Sequence, residues 1–101
     1  MTYPDLLTEP EVLETITSRM KLLAEPMRFR LLSILREKEC CVKELVDETG
    51  AGQANISKHL SILRTGGVIS SRKEGLFVYY SVSDSSVFHI YDSVTESLSF
   101  R

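Results

Sequence analysis

Hydrophobic side chains recur at helical spacing over most of this 101-residue chain and switch to a two-residue rhythm or short apolar runs only between residues 68 and 82. Val12, Leu13, Ile16, Met20 and Leu23 mark one face of an amphipathic helix expected over about 9–24, with acidic residues at its start that suit a helix N-terminus. Pro26 restarts the chain at a position proline favours. Met27, Leu31, Ile34 and Leu35 then continue at i, i+4, i+7 and i+8 until the charged run from Arg36 to Glu39. Val42, Leu45 and Val46 predict a short third helix closed by Thr49-Gly50, and Ala51-Gly52 turns the chain into a fourth. In that helix Ile56, Leu60 and Leu63 share one stripe, so Ala54, Ser57, Lys58 and Ser61 turn outward. Gly66-Gly67 ends it. Two short helices joined by a Gly-containing turn make a helix-turn-helix over about 42–65.

Beyond Gly67, Val68–Arg72 and Leu76–Val82 read as strands around a Lys73-Glu74-Gly75 tip. This β-ribbon, about 68–82, is a wing that exposes Arg72 and Lys73. Val87, Ile90, Tyr91, Val94 and Leu98 predict a final helix over about 84–98, with Ser83-Asp84 as its cap. The expected architecture is α+β, mostly α: a winged helix-turn-helix of five helices and a two-stranded hairpin, one domain over 1–101. The apolar stripes of the first and last helices exceed what so small a core can cover, which predicts a homodimer through 9–24 and 84–98. Its two groove helices would sit one DNA turn apart, roughly 34–36 Å.

Composition narrows the function. No run approaches the ~18 apolar residues of a membrane span, and the acidic start lacks the basic and apolar regions of a signal peptide, so a cytoplasmic protein without a membrane partner is expected. A net charge of −2 argues against nucleic acid when read as a whole. Its distribution argues the other way: Asp5, Glu9, Glu11 and Glu14 make residues 1–18 acidic, whereas Lys58, Arg64, Arg72 and Lys73 outnumber Glu74 over 51–82. The only histidines are His59 and His89; no nucleophile, base and orienting group stand at recognisable spacing, and no Gly-rich phosphate loop follows a strand, so an enzyme is not expected. The competing reading is a winged-helix module for protein contacts. The placement of Lys58, Arg72 and Lys73 on the helix and ribbon that need them favours double-stranded operator DNA.

Three motifs in order resemble the ArsR/SmtB family of bacterial winged-helix repressors. Leu22–Leu32 is similar to its "A-L-[AS]-[DE]-x-x-R-x-x-I-L" opening, and Gln53–Leu60 to its "Q-x-x-[VI]-S-x-H-L" recognition helix. Arg72–Gly75 followed by Val78–Val82 resembles its wing. The resemblance implies a homodimeric repressor that leaves its operator when an inducer arrives. It places Gln53, Ala54, Ser57 and Lys58 toward the major groove, with Asn55 and His59 on the same helix completing the DNA-binding set, and puts Arg72 and Lys73 on phosphate or the minor groove. Gln53 suits bidentate reading of adenine, and Lys58 suits guanine or phosphate. His59 lies beside the buried stripe, which favours packing or phosphate contact over base reading.

The sensor departs from the family. Where many members carry "C-V-C" for soft metals or arsenic, this chain reads Cys40-Cys41-Val42-Lys43: Cys41 holds the first ligand position, Lys43 replaces the second and Cys40 stands next door. A soft metal or metalloid ion on Cys40 and Cys41 would need a third ligand from elsewhere. Thiol sensing (metal, metalloid or oxidant), simple packing, and an unrelated effector all stay open, with Lys43 and the helix start favouring thiolate. The family's other metal site aligns with Asp84, Ser86, Ser97 and Phe100, of which one suits it. His89, Asp92 and Glu96 share a face of the final helix, a pattern that solvated polar residues also give.

Overall fold

The chain's structure is a computed structural model that describes residues 2–98. In chain order come α1 (Tyr3–Leu6), α2 (Pro10–Leu23), α3 (Pro26–Glu37), β1 (Cys40–Cys41), α4 (Val42–Thr49), α5 (Gln53–Thr65), β2 (Ile69–Glu74), β3 (Phe77–Val82) and α6 (Val87–Ser97). Proline starts both α2 and α3, where its missing N–H would find no helical acceptor. Glu25, held extended by the following proline, uses its carboxylate to accept the Arg28 N–H at 2.8 Å and so caps α3. Gly50 closes α4 at φ 72°, a left-handed turn in which its N–H returns to Val46 O at 2.8 Å.

Four features differ from the sequence expectation. There are six helices among the described residues rather than five, because the single turn α1 is too short to carry a period. The wing belongs to a three-stranded antiparallel sheet of order β1-β3-β2, with Cys40 opposite Tyr80 and Cys41 opposite Tyr79. Two residues cannot display a two-residue rhythm, and the sequence merges them with the start of α4. The hairpin tip is Gly75-Leu76, since Lys73 and Glu74 pair with Val78 and Phe77; Gly75 takes φ 60°. Finally, α6 starts at Val87, because Asp84 Oδ1 accepts the Ser86 N–H at 3.1 Å and forms a local turn ahead of the helix.

The core is a layer of leucines and branched side chains between α3, α4, α5, α6 and the sheet. Leu31, Leu32, Leu45, Ile56, Leu60, Leu63 and Val68 are all fully buried. Gly66, at the end of α5, lies so close under α2 that a Cβ there would come within 2.2 Å of Leu22 Cδ1. Tyr91 ties α6 to the α2 end by donating its hydroxyl to Leu23 O at 3.0 Å, and burial pushes its pKa up to about 12. Arg19 and Asp84 form a second tie at 2.6 Å.

One face remains open. Met20, Phe29, Ile90, Val94 and Leu98 are exposed and surround an apolar groove of about 510 Å³ between α2 and α6. No described helix is long and apolar enough to cross a membrane.

Candidate nucleic-acid interface

The α4–turn–α5 unit is built so that one helix is buried along a stripe and bare along the rest. Leu45 on α4 and Ile56, Leu60 and Leu63 on α5 reach full burial, which fixes the roll of α5 about its axis. That roll leaves Gln53, Ala54, Asn55, Ser57, Lys58 and Ser61 on the exposed side. Among the described residues, the polar ends of Gln53, Asn55, Ser57 and Lys58 make no hydrogen bond within the chain, so their donors face solvent. Gly52 precedes α5 in an extended conformation and supplies no side-chain cap, so the first α5 N–H groups are also uncapped by a side chain.

His59 takes a different position from its neighbours. Its side chain is 12% exposed and faces α3: Nδ1 lies 3.2 Å from Arg28 Nη1 and 3.7 Å from Glu25 Oε2. Arg28 is itself held by donating Nε–H to Leu22 O at 2.6 Å. The backbone N–H of Arg28 holds the Glu25 carboxyl below its usual range, with smaller help from Met27 N–H, His59 and the Arg28 charge against the opposing effect of burial. The opening motif and the recognition-helix motif thus meet physically at Glu25, Arg28 and His59, a contact between residues 31 apart that no local pattern shows.

The wing is less cationic than its sequence suggests. Arg72 pairs with Glu39, just before β1, and with Glu74 at 2.6 Å, and its guanidinium lies 5.0 Å from the centre of the Tyr79 ring. The guanidinium holds the Glu39 carboxyl below the ordinary range, and the two carboxylates raise the Arg72 pKa further. Arg72 is therefore not a free hand for phosphate, as the sequence reading expected; it must exchange these carboxylates to reach one. Lys73 is exposed, and Leu76 at the tip is 98% exposed. Arg64, exposed at the end of α5, donates to Ser71 Oγ at 3.2 Å and links α5 to β2.

Both cysteines are free and buried. Cys40 donates weakly to Lys38 O at 3.6 Å and borders a shallow cavity of about 340 Å³ with Lys38, Glu44, Asp47 and Glu48. Burial, reinforced by the Glu44 charge, pushes the Cys40 thiol up from its ordinary value, against the thiolate character expected from the sequence. Cys41 caps α4: its side chain accepts the Glu44 N–H while the Glu44 carboxylate accepts the Cys41 N–H at 3.1 Å. Among the described residues no three His, Cys, Asp or Glu side chains gather as a metal site. Asp84 is taken up by Arg19 and Ser86, and Asp92 accepts from both guanidinium nitrogens of Arg36 at 2.9 Å. Phe100 lies outside the described residues.

A buried-stripe helix after a tight Gly turn, flanked by a β-hairpin, defines a winged helix-turn-helix fold. The profile of the bacterial regulatory proteins of the arsR family matches residues 25–71. The chain is 36% identical over 80 residues to the HTH-type transcriptional repressor SmtB of Mycobacterium tuberculosis, covering 79% of this chain and 59% of that one. It thus spans about three fifths of that relative's length. The crystal structure of NolR from Sinorhizobium fredii superposes with a TM-score of 0.79 at 32% identity, covering 85% of this chain and 86% of the other. The homodimeric winged helix-turn-helix DNA-binding domain of a possible ArsR-family regulator from Mycobacterium bovis gives 0.79 at 25% identity, over 91% and 85%. This chain belongs to the ArsR family of bacterial regulatory proteins.

Proposed function

We propose that this protein is a sequence-specific transcriptional repressor that binds operator DNA as a homodimer in the cytoplasm. The observation that carries the reading is the α5 surface: Ile56, Leu60 and Leu63 are completely buried while Gln53, Ala54, Asn55, Ser57 and Lys58 stay exposed. In this reading Gln53, Asn55 and Ser57 offer hydrogen bonds to base edges, Ala54 a methyl contact, and Lys58 a charge to guanine or phosphate. Lys73 touches the flanking backbone, and Arg72 joins it when Glu39 or Glu74 gives way. The groove between α2 and α6 seats the second subunit, whose own groove completes the apolar seam.

Release follows from chemistry at Cys40 and Cys41. Successive strand residues point to opposite faces, so one agent that takes both sulfurs distorts β1. Because β1 pairs with β3, and Glu39 beside it holds Arg72, that distortion would loosen the wing. Two sulfurs alone do not make a three- or four-coordinate metal site. Oxidation of the two thiols to a disulfide needs a two-electron oxidant such as peroxide, which leaves as water, and a metalloid held by both sulfurs needs a third ligand from outside the pair.

Fluorescence anisotropy on a duplex selected by the protein from a random-sequence library tests the assignment. Lys58→Ala is expected to weaken binding, and Lys73→Ala to lower the salt slope of log affinity by about one. Unchanged binding in both variants would remove the DNA face from α5 and the wing. Replacing both cysteines by serine should preserve DNA binding and abolish release by arsenite or peroxide; retained release places the sensor elsewhere.

A further inference from the structure

The contact between α3 and α5 fixes more than packing. An arginine guanidinium has only donors, so with a neutral ring Arg28 Nη1–H donates and His59 Nδ1 accepts at the 3.2 Å contact, while Glu25 Oε2, 3.7 Å from the same nitrogen, lies beyond hydrogen-bond reach. In the neutral ring the proton then sits on Nε2. Among the described residues Nε2 has no hydrogen-bond partner, and no buried side-chain nitrogen or oxygen is left unpartnered, so Nε2 reaches solvent. The ring is otherwise nearly enclosed, at 12% exposure, and Arg28 is pinned to Leu22 O and Lys21 O at 2.6 and 3.4 Å. The outcome is a rigid N–H donor at the flank of the reading helix, next in sequence to Lys58.

We propose that Arg28 is a positioning residue that locks His59 as an Nε2–H donor, and that this donor takes a DNA phosphate oxygen beside the groove that α5 enters. The inference rests on the DNA-binding reading of α5 and adds a backbone contact that is neutral, oriented and independent of sequence. A phosphate fits the geometry better than a base edge. The donor lies next to the buried stripe rather than at the centre of the exposed side, and an N–H that cannot swing selects an acceptor at a fixed position along the duplex. Arg28 never touches DNA in this scheme. It acts through the ring, and through it the junction of α2 and α3 sets where the helix flank meets the backbone.

Two substitutions at one site separate donor from scaffold. In His59→Asn the side-chain amide falls near the Nδ1 position, keeping an acceptor for Arg28 but losing the outward N–H. In His59→Gln the amide reaches the Nε2 position and restores a donor. With the library-selected duplex, Asn should cost about tenfold in affinity per subunit, as for a hydrogen bond to a charged group, and Gln should recover most of it. A scan of single methylphosphonates should find one position per half-site where the wild type loses affinity and His59→Asn loses nothing more. Nitrogen-15 spectra of the neutral ring should show the proton on Nε2, and Arg28→Lys should mix the tautomers. Wild-type affinity in His59→Asn, a ring protonated on Nδ1, or coupling to a base analogue with none to any phosphate would each overturn the proposal. If Lys58→Ala weakens binding in the same assay while His59→Asn does not, only this inference fails; if neither change matters, the DNA reading of α5 fails with it.

Discussion

Individual side chains here divide by how far along the chain their partners lie. Ile56, Leu60 and Leu63 were legible as a buried stripe because their spacing alone sets it, and all three are fully buried. The partners of His59 and Arg72 were not: Arg28 is 31 residues away and Glu39 is 33, and opposite charges at such separations carry no periodic signal. Cys40 shows the same limit from the side of burial. Lys43 and a helix start suggested a reactive thiolate, but enclosure at 0% exposure raises the thiol instead. A Cys41→Ser variant, carrying Cys40 as its sole cysteine, should therefore be alkylated slowly at neutral pH. Because the folded thiol ionises above its ordinary value of 9.0, its iodoacetamide rate should climb only at higher pH than that of free cysteine. A pH–rate profile matching free cysteine would show that the thiol is not desolvated.

At the scale of elements, the two helices of the reading unit were visible because glycine punctuates them and the helical period survives between the breaks. Gly50 does this through its backbone. At φ 72°, with no atom within 4 Å of the point where a Cβ would stand, the site has room for a methyl group but not the conformation for one. Gly50→Ala is expected to lower stability by about 1–2 kcal/mol from the left-handed conformation alone, read as a fall of several degrees in Tm. An unchanged melting curve would mean that the α4–α5 turn relaxes without cost. Arg30 reinforces the same turn by donating to Glu48 O and Thr49 O, both at 3.2 Å, which satisfies carbonyls at the end of α4. The strand β1 escaped the sequence reading because its pairing with β3 is written in tertiary contact, not in two adjacent cysteines. The start of α6 was misplaced for a similar reason, since a capping residue and a turn-forming aspartate look alike until the Ser86 N–H is located.

Across the described residues, the face shared by α2 and α6 leaves an apolar surface uncovered, as stripes too wide for one small core led the sequence to predict. Val94 is 56% exposed and Leu98 58%, on the rim of that groove. A carboxylate buried there in a subunit seam would lack a partner, so Val94→Asp should give monomers in sedimentation at micromolar concentration and lose DNA affinity with them. A dimeric Val94→Asp that still binds would move the seam to another face. The nesting of Gly66 beneath Leu22 gives this seam a further role. The tail of the reading helix meets, at this one point, the helix that would join the protomers. The distance separating twin reading heads would then be gauged by how the partners seat, so relatives with re-cut seams should favour half-sites of altered separation even where every base-facing residue is the same.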